Sequence, residues 1–279
     1  MPPGIEVRLR RITSRQNTAI RELRHCFSQA EPSSTGAVAV EGIRIIEEAI
    51  RSGLRIEMIF VRESSQKAAE KLIPQLSSHT EALLLPDDVF AGAVNTESPQ
   101  GVAALVRLKS TNLERLMEIA GTSLLMIGAA GLQDPGNLGT IIRSAEAFGA
   151  NAVLLGEKTV SHFNPKVIRA SAGSIFREPV VPVKMRDTIR ALRERQVRVV
   201  VTSSHTGVAL PAADLTGPCL ILIGNEGAGV PQEFLSGADE HIVIPHSDRV
   251  ESLNAGIAGS IILYEAARQR SKTSLTNER

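Results

Sequence analysis

The chain has 279 residues, with 31 Lys and Arg against 30 Asp and Glu, a net charge of +1, no Trp and two cysteines. That length admits one large domain or two ordinary ones, each able to bury a core, and the balanced charge carries no overall bias towards a polyanion. Cys26 and Cys219 are too few and too far apart for a disulfide framework or a cysteine metal site, and no apolar run approaches a membrane span, so the sequence predicts a reduced cytoplasmic protein with no metal and no membrane partner.

The charge is unevenly spread. Arg8, Arg10, Arg11, Arg15, Arg21 and Arg24 crowd the N-terminus, opposed there by Glu6 and Glu22. Such a segment suits a polyanion or the solvated face of a helix, and charge alone does not separate the two. A helix over 14–29 ends at the turn-rich Glu31-Pro32-Ser33-Ser34-Thr35-Gly36. Val38 and Val40 suit a strand, and Ile43, Ile46 and Ile50 make one face of a helix over 42–52, closed by Gly53. A strand at 56–61, a helix over 65–76 halted near Pro74, a strand at 83–85, a short helix after Pro86-Asp87-Asp88 and a strand at 101–107 complete the first alternation. The polar stretch from Lys109 to Glu114 and a helix over 113–120 mark a domain boundary.

The second half alternates again. Leu124 to Ile127 is nearly all apolar, as a parallel sheet covered on both faces requires. A turn from Gly131 to Asn137 follows, with Asn137 placed to cap the next helix, whose stripe is Leu138, Ile141, Ile142, Ala145 and Phe148 and whose end is Gly149. Strands are predicted at 152–155, 180–183 and 197–202, with helices near 165–173 and 187–196. Cys219 to Ile223 reads as a buried strand broken by Gly224-Asn225-Glu226-Gly227, with Gly229 and Pro231 close behind. Ile242 to Ile244 is a second short strand, ended by Pro245. Ser252 then caps a long helix in which Leu253, Ile257, Ile261 and Tyr264 recur at three- and four-residue spacing. The pattern is α/β with a mainly parallel sheet, and ligands in such sheets bind at loops on the carboxyl ends of strands.

The glycine-rich turn is not a dinucleotide fingerprint. Its spacing is Gly-x-x-Gly-x-Gly and it lies late in the chain, and the lysine of a phosphate-binding loop is missing. Arg143 falls opposite the apolar stripe of its helix. It is a solvated surface arginine unless a second subunit or a bound polyanion faces that side.

Three ordered stretches carry a resemblance: Asp134-Pro135-Gly136-Asn137-Leu138-Gly139-Thr140-Ile141-Ile142-Arg143, then Ile223-Gly224-Asn225-Glu226-Gly227, then Ile244-Pro245 with Glu251-Ser252-Leu253-Asn254. Together with Asn164-Pro165-Lys166 and Arg169-Ala170-Ser171-Ala172-Gly173-Ser174, they resemble the SpoU (TrmH-like) family of the SPOUT superfamily, S-adenosylmethionine-dependent RNA ribose 2′-O-methyltransferases. Residues 36–108 look like that family's L30e-like substrate-binding domain. The resemblance therefore implies a basic segment at 1–35, the L30e-like domain at 36–108, a linker at 109–121, a trefoil-knotted SPOUT domain at 122–270 and a tail at 271–279.

It also implies a site. Gly224, Ile244 and Leu253 match the family's cofactor contacts, with Thr202 and Ser203 at the rim and Asn225 and Gly229 in the same loops. Arg143, Asn137, Glu226, Ser252 and Asn254 match its catalytic positions. A ribose hydroxyl is a poor nucleophile, so its proton must leave or its developing charge must be stabilised. Guanidinium is always protonated, which suits Arg143 to gripping a phosphate and stabilising the alkoxide rather than acting as a base. Asn137 and Asn254 are expected to orient Arg143 and the ribose, and Glu226 to fix the geometry of the loop or of Arg143. His246 stands where the family usually has an uncharged residue. The implied partners are RNA, ribosomal first and transfer RNA second, and a second copy of the chain, with small Ala255, Gly256, Gly259 and Ser260 suited to close packing against a neighbour or to ordinary core packing. The competing readings are a non-catalytic RNA-binding module and a nucleotide-dependent α/β enzyme.

Overall fold

Two runs, Leu125–Ala130 and Cys219–Gly224, are apolar on both faces, and every residue in both is buried. They pair side by side in parallel, Cys219 opposite Leu125 through Gly224 opposite Ala130, and form the middle of a sheet. The computed structural model describes residues 9–94, 96, 98–120, 123–204, 206–247 and 249–277. Arg8 and Glu6 of the basic segment, the 121–122 boundary and the end of the tail lie outside the described residues. The described chain falls into two units, one of residues up to Ser110 with Ser161–Phe176, the other of Thr111–Val160 with residues from Arg177 on.

The first unit holds strands β1 (Leu9–Arg11), β2 (Ala37–Glu41), β3 (Arg55–Arg62), β4 (Glu81–Leu85) and β5 (Val102–Arg107) in the order β1-β4-β3-β5-β2. Helices α1 (Thr18–Gln29), α2 (Ile43–Arg51), α3 (Gln66–Ala69), α4 (Asp87–Val94) and α7 (Pro165–Ala170) belong with it. Ile20, Leu23, Phe60, Leu83 and Phe90 form its core. The helix expected over 65–76 is broken: α3 is one turn, followed by a 3₁₀ turn over Ile73–Gln75 with Pro74 inside it. Proline has no N–H to continue an α-helical ladder, and here its effect reaches back a full turn.

Four of the N-terminal arginines have partners. β1 adds to the edge of the sheet beside β4, and Arg10 pairs with Glu81, Arg11 with Glu63 at 2.6 Å and Arg15 with Asp88 at 2.5 Å. Arg24 donates to the carbonyl of Gly92 at 3.0 Å. Arg10, Arg11 and Arg15 are thus stitched to acidic partners of their own unit, which removes part of the charge that suited the segment to a polyanion.

The second unit is a seven-stranded sheet, parallel throughout, in the order β10 (Val208–Ala209), β12 (Glu240–Val243), β9 (Arg198–Thr202), β11 (Cys219–Gly224), β6 (Leu125–Ala130), β7 (Ala152–Leu155) and β8 (Val180–Pro182). Helices α5 (Leu113–Ala120), α6 (Pro135–Ala147), α8 (Met185–Glu194), α9 (Gln232–Leu235) and α10 (Ala255–Asn277) surround it. All seven strands therefore end on one side, and their carboxyl ends present the loops where a ligand is expected.

α10 packs on α6, and the small residues explain how. A Cβ on Gly256 would sit 3.1 Å from Asn137 Oδ1 and from Thr140 Cβ, and one on Gly259 would sit 2.8 Å from Ile223 Cδ1. Ser260 and Ser144 hydroxyls are 2.7 Å apart. The small stripe thus serves packing within the chain, not against a neighbour. The core side of α10 is Ala255, Ile262, Leu263 and Ala266, whereas Ile257, Ile261 and Tyr264 of the predicted stripe face outward.

Candidate active site

The loop after β11 is built around one side chain. Asn225 Oδ1 accepts from the N–H groups of Gly227 at 2.9 Å and Ala228 at 3.2 Å, and the backbone of Asn225 exchanges two hydrogen bonds with Gly229 at 3.0 and 2.8 Å. Closing a loop this tightly requires Gly229 at φ +68°, a left-handed conformation that side chains other than glycine rarely adopt. It also requires nothing on Gly224, because a Cβ there would overlap the backbone of Gly229 and Val230. The glycine is needed for the loop's own closure, not only for room beside a ligand.

Asn225 also reaches across. Its Nδ2 donates to the carbonyl of Gly131 in the loop after β6 at 3.1 Å, and to Glu226 Oε2 at 3.3 Å. The other Glu226 oxygen accepts from Asn137 Nδ2 at 2.8 Å. Asn137 is buried and is not the cap of α6: Asp134 is, accepting the Asn137 N–H at 2.7 Å. That frees the Asn137 amide for Glu226 and joins the loops after β6 and β11, 89 residues apart in sequence.

The third loop follows β12. The cap of α10 is Asn254, whose Oδ1 accepts from Ile257 N–H at 3.1 Å; Ser252, the expected cap, lies two residues outside the helix with its hydroxyl exposed. His246 Nδ1 lies 2.9 Å from the Ile244 carbonyl, and since a carbonyl only accepts, that nitrogen carries the proton.

The loops after β11 and β12, with the end of β9 and the start of α10, enclose a cleft of about 360 Å³. Of the expected cofactor contacts, Thr202, Ser203, Gly224, Asn225, Gly229, Ile244 and Leu253 all line it, as do Glu226 and Ser252 of the expected catalytic set. Asn137 stands behind Glu226 and Asn254 behind the start of α10, neither on the wall. Arg143 is apart: it is exposed on α6, bonded to none of the described residues, and does not line the cleft. Sequence reasoning missed Ile223, Ile242, Ala258 and Ile262, which give the cleft its apolar floor, and Glu251 on its rim. The signal was available, since they flank expected contacts on the same strands and helix.

A sheet parallel throughout, with hydroxyls, apolar side chains and two carboxylates gathered at the carboxyl ends of β9, β11 and β12, defines an α/β protein with a cleft where such folds bind small molecules. The SpoU rRNA Methylase family model matches residues 124–264, and the MRM3-like substrate binding domain model matches residues 17–104. The chain belongs to the SpoU rRNA methylase family. It is 30% identical over 256 residues to the 23S rRNA (guanosine(2553)-2'-O)-methyltransferase RlmP of Bacillus subtilis, covering 92% of this chain and 98% of that one. It is 32% identical over 272 residues to a 23S rRNA (uridine(2479)-2'-O)-methyltransferase of Streptomyces viridochromogenes, covering 94% and 93%. The crystal structure of the SpoU methyltransferase AviRb from Streptomyces viridochromogenes in complex with AdoMet superposes with a TM-score of 0.79 at 29% identity, over 92% of this chain and 99% of that one.

Proposed function

We propose that this protein transfers the methyl group of S-adenosylmethionine to a ribose 2′-hydroxyl of ribosomal RNA, in the cytoplasm and as a homodimer whose second unit is a trefoil-knotted SPOUT domain and whose first unit, L30e-like, holds the RNA. The observation that carries the reading is the meeting, in one cleft, of the loops after β11 and β12, whose sequences resemble two of the family motifs, with Asn137 of the remaining motif bonded to Glu226 of the wall. Its lining fits the cofactor. Ile223, Ile242, Ile244 and Ile262 offer an apolar surface to an adenine ring, Thr202, Ser203 and Ser204 offer hydroxyls to polar substituents, and Glu226 and Glu251 offer negative charge to a sulfonium or ammonium group. When bound, the cofactor supplies an electrophilic methyl group on sulfur.

The protein's own residues supply alignment and charge. Asn225 closes the loop that forms one wall, and Asn137 holds Glu226 in place through the 2.8 Å hydrogen bond. Ser252 presents an exposed hydroxyl on the rim, suited to the ribose or its phosphate. Asn254 is spent on capping α10, so its contribution is to fix the loop that carries Ser252 and Leu253. Arg143 needs a second copy. Ile257, Ile261 and Tyr264 on α10 form an exposed apolar stripe, and Tyr264 meets Phe148 of α6 edge-on at 5.7 Å. A partner seated on that stripe faces α6 as well, and brings a cleft and an RNA phosphate within the reach of Arg143, where a permanent cation can stabilise the developing alkoxide.

The test is transfer of labelled methyl from S-adenosylmethionine to separated unmodified ribosomal and transfer RNA, followed by nucleoside analysis. Label in a 2′-O-methylnucleoside of ribosomal RNA is expected. Label confined to transfer RNA would change the substrate, label on a base would overturn the mechanism, and no cofactor binding at all would turn the protein into an RNA-binding module.

A further inference from the structure

Beside the cofactor cleft, a second cavity of about 430 Å³ opens at the carboxyl ends of β6, β7 and β8. The two share a wall: Gly131 lines the second cavity, and its carbonyl accepts from Asn225 Nδ2, which lines the first. Both therefore lie on the ligand-binding side of the same sheet.

The charges of this cavity balance only until their partners are assigned. Its acids are Glu157, Asp187 and Glu233; its bases are Lys158, Lys184 and Arg186. Glu157 accepts from the N–H of Met185 at 3.3 Å, Asp187 pairs with Arg190 at 3.3 Å and Glu233 pairs with Arg186. Two of the three acids are thus in ion pairs with arginines, while Glu157 meets only a neutral N–H. Lys158 and Lys184 remain, both exposed and bonded to none of the described residues. Two ammonium groups against the one carboxylate outside an ion pair leave this face with an excess of positive charge, delivered by the loops after neighbouring parallel strands, and such a face meets a polyanion better than any neutral or cationic partner. Lysine recognises phosphate as a point charge without demanding one geometry, which suits a flexible strand.

We propose that Lys158 and Lys184 grip backbone phosphates of the RNA beside the nucleotide that is methylated, an inference that rests on the reading of the cleft given above. The target ribose enters the cofactor cleft, and the strand leaves it across the shared wall at Gly131 and over the two lysines. The contacts carry no base information, so they set affinity and register rather than the choice of sequence.

The experiment compares the wild type, the double reversal Lys158→Glu with Lys184→Glu, and the double replacement Lys158→Arg with Lys184→Arg. Affinity for an unmodified 23S rRNA transcript is measured over a range of salt concentrations, and affinity for S-adenosylmethionine by calorimetry. The reversal is expected to weaken RNA binding by at least about tenfold and to lower the slope of log affinity against log salt by about 1.4, the release expected for two single-strand phosphate contacts. The arginine pair is expected to restore both, and cofactor affinity to stay unchanged in all three. An unchanged affinity and slope in the reversal would overturn the proposal. So would a weaker affinity with an unchanged slope, or a loss of cofactor binding along with RNA binding, which marks a structural role. Absence of methyl transfer by the wild type to any RNA would instead remove the reading of the cleft, and this inference with it.

Discussion

Gly224 has no room for even the smallest side chain, because the loop it precedes folds back over its Cα. Gly224→Ala is therefore expected to behave as badly as a larger substitution: cofactor binding is lost and stability falls by roughly 1–3 kcal/mol, as overpacking a fixed backbone does. Calorimetry with S-adenosylmethionine and a denaturant titration check it together; normal binding in the alanine variant would mean that the loop opens freely. Arg143 makes the opposite prediction. Its exposed side chain makes no hydrogen bond or ion pair with the described residues, so Arg143→Ala is expected to leave folding and cofactor affinity intact while lowering methyl transfer by about 10²- to 10³-fold, the usual cost of removing one charge-stabilising donor. A variant that also loses cofactor affinity would give the arginine a structural part.

Among the elements, α10 divides its labour between two faces. The inner one, with Gly256, Gly259 and Ser260, is set against α6; the outer one leaves Ile257 at 53% and Tyr264 at 55% exposure, and is the seat proposed for a second copy. Ile257→Lys combined with Tyr264→Lys is expected to convert a dimer into a monomer by sedimentation velocity and to abolish transfer without unfolding the chain; a wild type that sediments as a monomer would remove this reading. The strands were legible in the sequence because short apolar runs bounded by Gly and Pro suit little besides a buried strand, and the three loops because their residues are spaced to turn at the end of a strand. The choice between equivalent residues was not legible. Asp134 and Asn137 can each cap a helix, as can Ser252 and Asn254, and only the position of Glu226 and the start of α10 decide which do. Nor did the periodicity of α10 tell its inside from its outside, since it has apolar residues on both faces. The ion pairs of the basic segment were hidden for a different reason: its carboxylate partners at Glu63, Glu81 and Asp88 lie more than fifty residues away in sequence.

At the scale of the molecule, two buried titratable groups bracket its pH range. Burial and the charge of Glu146 push the Glu178 carboxyl up to about 8, and Glu178 Oε1 has no hydrogen-bond partner among the described residues. The folded state holds that proton more tightly than the unfolded state, so the stability it contributes is complete below the ordinary carboxylate range and is lost as pH rises through 8. His162, buried against Phe163 with ring centres 3.8 Å apart, is pushed down to about 4 by loss of water. It works in the reverse sense: its contribution is present above the ordinary imidazole range and is lost as pH falls towards 4. Chemical denaturation from about pH 4 to about pH 9 is expected to show both declines, and Glu178→Gln to flatten only the alkaline one. An unchanged alkaline limb in that variant would assign the loss to another group. The cleft has one more property, set by its address in the chain: all of its lining comes from positions 202–262. The first unit, apart from Ser161–Phe176, is translated long before that, and domains begin to fold while synthesis continues. A chain still emerging from the ribosome can thus possess a finished sheet of five strands before any residue of the cleft has been made, and a translation stop before residue 202 leaves a fragment with none of that lining.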